Sequence, residues 1–323
     1  VEGETYYAWL SSDDQSSFLL LGAVELDGSG GGSLTYTSPN GENLINNYNG
    51  FWVERTAVVS TQPQEDAIVM SDVILPGSMA HIRHVMSAWA PSTDGKGLAV
   101  GSQEQTDIAL THATLSVNSS NLSGIQTHAH HVINIVEGSS GDNYDASFGD
   151  PGDGFSVLKY AADAGKHSGF AAAVEGASAG VMLHAVHVQD TSTNVVNWAT
   201  QARDKALEAL TSTTFTSGSA AMVESQKLLD WALNGRGGSS APVIDGGGAR
   251  TAYRHGQLMA GYSPVFNTEP PSAIQPQVDP TATLLPPTPG DVAPGSDLLI
   301  GLLIAAFILI AAGSYYLRQS RQS

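Results

Sequence analysis

The chain contains no cysteine. This excludes disulfides, thiolate metal sites, iron–sulfur clusters and covalently attached c-type haem. Basic residues are scarce: 13 Lys and Arg stand against 31 Asp and Glu, for a formal charge of −18. A polyanion of this kind is a poor partner for nucleic acid or anionic lipid headgroups. Catalytic signatures are missing too. The sequence holds no HExxH, no P-loop and no GxGxxG between a strand and a helix. The expectation is a binding protein rather than an enzyme.

Long apolar runs are also absent, with one exception. Leu298–Leu317 reads LLIGLLIAAFILIAAGSYYL without a charge. At ~1.5 Å rise per residue it matches a hydrocarbon core of ~30 Å, and it predicts a transmembrane helix over 297–317. Arg318 and Arg321 follow and Asp297 precedes it. The positive-inside bias then makes 318–323 a cytoplasmic tail and places the rest outside a plasma membrane, single-pass, with the expectation that a signal peptide was removed or that an upstream portion is missing. Export without disulfides points to a bacterial source.

Residues 1–90 are rich in short aromatic and β-branched runs: 5–10, 18–26, 33–37, 51–59 and 67–75. Turn clusters such as Asp27-Gly28-Ser29-Gly30 separate them, and the spacing predicts an antiparallel β-sandwich. Residues 80–89, AHIRHVMSAW, fit either a strand or a short helix. From Gly101 the apolar period lengthens to three and four. It predicts helices at 102–117, 122–137, 161–174, 179–190, 194–211, 217–233 and 249–260, an α-helical bundle over 101–262. Asn121 and Ser217 are expected N-caps. Residues 264–294 hold nine of the chain's fifteen prolines, so 263–296 reads as an extended stalk. The fold class expected is α+β with a single C-terminal transmembrane helix.

The histidines carry the chemistry. His112 is followed by His128 and His131, and His167 by His184 and His187. Each set is one His, a gap, then His-Ala-x-His-Val, which reads as an internal duplication. If each set folds as an antiparallel hairpin, the lone His lies level with its HxxH pair, whose members share a face. Each hairpin is therefore expected to bring three imidazoles to one spot. Imidazole without thiolate suits zinc, copper or nickel, and a bis-histidine b-type haem is a second option. Asp107 and Asp163 are expected to orient His112 and His167. His130 points off the shared face, and His81, His84 and His255 are secondary candidates. The run Asp142, Asn143, Asp145, Asp150 and Asp153 lacks EF-hand spacing and reads as an acidic solvated turn.

The opening block YYAWLSSDD…FLLLGAVELDGSGGGSLTYT resembles the extracytoplasmic β-domain of anti-sigma-K factor proteins over roughly residues 1–75. It shares an aromatic-x-x-Trp-Leu strand, a following Leu-Gly strand and an Asp-Gly-x-Gly turn. The resemblance implies a fold and a compartment, not sigma binding, which in that family belongs to a separate cytoplasmic segment. Together these features lead to the expectation of a membrane-anchored extracytoplasmic protein whose bundle binds a transition metal or haem. The alternative is a cell-surface or regulatory interaction module, or an accessory subunit of a membrane complex, with structural histidines.

Overall fold

The computed structural model describes residues 3–29, 31–237 and 246–266. The expected stalk from residue 267 onward, the 297–317 span and the 318–323 tail lie outside the described residues. Among the described residues no helix is long and apolar enough to cross a membrane. The chain divides into two units, one built from residues up to Pro76 together with those from Gly261, the other from Gly77–Ala260. The architecture is mixed α+β.

The first unit is an antiparallel sheet of β1 (Thr5–Ser11), β2 (Phe18–Ala23), β5 (Gly50–Thr56), β6 (Ile68–Val73) and β7 (Val265–Phe266), in the order β2-β1-β5-β6-β7. A separate ribbon pairs β3 (Glu25–Leu26) with β4 (Gly32–Ser33), and α1 spans Leu44–Asn47. Alternation sorts the side chains. Ala8, Leu10, Phe51, Val53 and Met70 build one buried cluster, and Trp9, Trp52 and Ile68 build another. Both indoles are satisfied: Trp9 Nε1 donates to Glu54 Oε1 at 2.9 Å and Trp52 Nε1 to Ser11 Oγ at 2.8 Å.

A second facing sheet, expected for a sandwich, does not form among the described residues. The 33–37 run contributes only Ser33 to a strand, and Leu34 and Tyr36 instead pack onto the Leu10–Phe51 cluster with Leu44 and Tyr48. An irregular segment therefore covers the face that a sheet would have covered. Where Ala8 pairs with Gly22 and Trp9 with Leu20, Leu21 is the extra residue of a bulge. Gly22, at φ 132, tolerates the backbone there.

The second unit is helical: α2 (Pro76–Met86), α3 (Leu98–Val117), α4 (Leu122–Glu137), α5 (Val157–Ala172), α6 (Ala179–Thr211), α7 (Phe215–Asn234) and α8 (Ala249–Met259). It begins at Gly77, so residues 77–90, expected with the sheet, fold as part of the bundle. In α2, Met79, Ile82 and Met86 form the buried stripe, a 3–4 spacing that settles 80–89 as helix.

The helix α6 is continuous where a break was expected around residues 191–193. Thr191 Oγ1 donates to the His187 carbonyl at 2.6 Å and Thr193 Oγ1 to that of Gln189 at 2.9 Å. Hydroxyls that bond back one turn let the helix run on instead of capping it. Its buried stripe of Ala185, Ala199, Ala202, Ala206 and Ala209 lets neighbouring helices approach closely, and at 33 residues it is about 50 Å long. The N-cap of α7 is Thr214, whose Oγ1 accepts from Ser217 N at 3.2 Å, displacing the expected cap at Ser217. That of α4 is Asn121 as expected, accepting from Gly124 N at 2.9 Å.

Candidate metal centres

Nine of the ten histidines gather into three separate triads: His81–His84–His167, His112–His128–His131 and His184–His187–His255. Each has the same construction. One helix supplies an HxxH pair, i and i+3 on one face, and a neighbouring helix supplies a lone His. The pairs lie on α2, α4 and α6, the lone residues on α5, α3 and α8.

In every triad it is Nδ1 that converges. His167 Nδ1 lies 3.1 Å from His81 Nδ1 and 3.2 Å from His84 Nδ1. His112 Nδ1 lies 3.3 Å from His128 Nδ1 and 3.1 Å from His131 Nδ1. His255 Nδ1 lies 3.0 Å from His184 Nδ1 and 3.3 Å from His187 Nδ1. Ligands bonded at ~2.0–2.1 Å in a tetrahedral zinc site are ~3.3–3.4 Å from one another. The spacings from each lone histidine to its pair, 3.0–3.3 Å, approach that edge, and the three ligand atoms of each triad all lie within 4.8 Å of one another. No carboxylate joins any triad among the described residues, so each offers three imidazole donors.

Burial favours the neutral ring at seven of the nine. It lowers His84, His112, His167 and His255 to about 4, and neighbouring imidazoles push further the same way, both partners at His84, His112 and His255 and His81 alone at His167. Lys166 adds to this at His167, and Arg254 at His255. Burial also lowers His81, His128 and His184, the last two helped by His131 and His187 respectively. A neutral ring has a lone pair available for a metal. Trp89 walls the first triad, its ring centroid 4.4 Å from that of His167 and 4.7 Å from that of His84. Phe170 closes the other side, 5.3 Å from His81.

The expected first hairpin grouping of imidazoles is present. Ser116 Oγ donates to the Ile125 carbonyl at 2.9 Å across the α3–α4 turn, and that register sets His112 against His128 and His131. The second expected grouping is not present. His167 belongs with His81 and His84, and His184 and His187 belong with His255.

The reason is rotation about the helix axes. A Cβ at Gly165 would stand 3.3 Å from Ser192 Cβ and 3.6 Å from Gln189 Cα, so these residues face each other along the α5–α6 seam. At 3.6 residues per turn, His167 is about 160° around α5 from Gly165, and His184 and His187 are about 140° and 160° around α6 from Gln189. All three look away from the seam. Matching heights across a turn fixes level, not direction. The sequence signal that leads to the true grouping is the third HxxH, His81–His84, which completes three pairs with three lone partners.

The carboxylates expected to orient the histidines do not do so. Asp107 is exposed and faces Arg250 at 3.9 Å, and no hydrogen bond joins Asp163 to His167 among the described residues. The group that does act is a backbone carbonyl: His131 Nε2 donates to Phe148 O at 2.8 Å. The acidic run binds its own loop. Asp145 Oδ1 accepts from Ser147 N at 2.9 Å, Asp150 Oδ1 from Gly152 N at 2.9 Å, and Asp153 Oδ2 from the Tyr160 hydroxyl at 2.8 Å. A cavity of about 360 Å³ between α5 and α6, lined by Ala162, Gly165, Gln189, Ser192, Thr193 and Val196, includes no histidine.

No protein-family model, no curated protein and no solved structure matches the chain.

Proposed function

We propose that the chain is a metal-binding protein that holds up to three first-row transition-metal ions, one in each histidine triad, through Nδ1. The observation that carries this reading is the same Nδ1 convergence, at 3.0–3.3 Å, built three times from different helices. Hydrogen bonding alone accounts for it poorly. One N–H on the lone histidine would have to be shared between two lone pairs, whereas a cation at the centre meets all three at once. Imidazole donors without thiolate or carboxylate suit zinc, copper or nickel.

Haem is the weaker option. Two axial histidines lie on opposite sides of an iron, about 4 Å apart across a porphyrin, and the nitrogens here are side by side. Binding rather than catalysis is the role proposed. The Leu298–Leu317 run supports tethering at a membrane, with the triads outside the cytoplasm.

Elemental analysis of the full chain after exposure to Zn²⁺, Cu²⁺ or Ni²⁺ and removal of excess ion tests the reading. Three equivalents are expected, with no Soret absorption after incubation with haem. A chain that retains none of the three ions ends it.

A further inference from the structure

The three triads are not equally supported. His131 alone among the triad histidines has an Nε2 bonded to a protein acceptor within the described residues, the Phe148 carbonyl at 2.8 Å. A carbonyl only accepts, so this bond fixes His131 as the Nε2–H tautomer and leaves the Nδ1 lone pair pointing at His112. At the third triad, by contrast, His255 Nε2 is buried with no partner.

The segment that presents Phe148 is itself held by α4. Asn134, fully buried, donates through Nδ2 to the carbonyls of Asp145 at 2.8 Å and Gly149 at 2.7 Å, and accepts at Oδ1 from Asp145 N at 2.9 Å. Residues 145 and 149 bracket Phe148, so one side chain fixes both ends of the turn that carries the carbonyl. His130, the tenth histidine, stacks on the Phe148 ring with centroids 3.6 Å apart and planes 11° apart. Thus His130, His131 and Asn134, adjacent on one stretch of α4, grip the same turn at its ring, its carbonyl and its two ends.

We propose that Asn134 and His130 are positioning residues for the metal reading above, and that they make His112–His128–His131 the first triad to fill. A ligand histidine already in the required tautomer and orientation has nothing to reorganise when the ion arrives. Outer groups of this kind contribute about 10–100-fold in metal affinity.

The test is titration of the full apo chain with Zn²⁺ alone, followed by ¹⁵N-histidine NMR, which reports tautomer and ligation residue by residue. Before zinc, His131 should be the Nε2–H form. The first equivalent should shift His112, His128 and His131 ahead of the other six. Asn134→Asp, which keeps the acceptor and loses both donors, should weaken this triad by about tenfold or more and let another triad fill first. His130→Ala removes the stack at a partly buried position outside the apolar core cluster. It should weaken the same triad and leave the other two unchanged, and it serves if Asn134→Asp does not fold.

An Nδ1–H tautomer at His131 in the apo chain overturns the proposal, as does zinc filling another triad first or a His130→Ala chain with unaltered affinity and order. Wild-type protein that ligates no zinc at any triad ends the metal reading itself, a result distinct from zinc bound in a different order.

Discussion

His167 is the position where a grouping by hairpins and the grouping in the fold predict opposite results. If His167 shared an ion with His184 and His187, replacing His167 and His184 together would remove one site. In the structure they belong to different sites. Both point away from the α5–α6 seam, so with helix diameters of ~10–12 Å their imidazoles are on the order of 20 Å apart. His167 Nδ1 is 3.2 Å from His84 Nδ1 instead. With ion at about 100 times the dissociation constant, each filled site stabilises the fold by about 2.7 kcal/mol, and independent sites add. His167→Ala and His184→Ala should each cost one equivalent of bound ion and about 2.7 kcal/mol of metal-dependent stability. The double variant His167→Ala/His184→Ala should cost two equivalents and about 5.4 kcal/mol. The pair His167→Ala/His84→Ala should cost no more than either single change. The assay is denaturant unfolding of each chain with and without Zn²⁺, with elemental analysis on the same samples. A His167→Ala/His184→Ala chain that loses one equivalent, or a His167→Ala/His84→Ala chain that loses two, refutes the assignment.

Two further predictions concern the scaffold. Gly101 of α3 lies so close to the buried Tyr160 ring that a Cβ would overlap it. Gly101→Ala should therefore destabilise the helical unit by about 1–3 kcal/mol through overpacking, read as a lower denaturation midpoint with an unchanged slope. Burial alone would raise Glu137, but hydrogen bonds from Asn143 and from Arg203 hold it below its ordinary value of 4.5. A lowered carboxylate contributes stability that is present above that value and is lost as pH falls through the folded-state value. Glu137→Gln should remove this acid-limb loss and cost about 1–3 kcal/mol at neutral pH. A variant whose stability still falls on acidification as steeply as that of the wild type contradicts it.

Sequence alone settled what depends on composition and on local period. The lack of cysteine left imidazole as the strong metal donor in the chain, and the i, i+3 spacing placed the His128–His131 and His184–His187 pairs each on one helical face, whereas His81–His84 stayed open between strand and helix. The cap at Asn121 and the bounds of α4 followed from hydrogen bonds within a few residues. The His112–His128–His131 site was legible for the same reason, because its partners meet across one short turn. The tertiary structure decided the rest. His255 comes to His184 and His187 from about 70 residues away, and His167 to His81 and His84 from more than 80, through helix rotations set by which small residues line each seam. No local rule encodes that rotation. It is fixed by the packing of Gly165 against Gln189 and Ser192, and it turns a repeated pattern of one His and one pair into three triads rather than two.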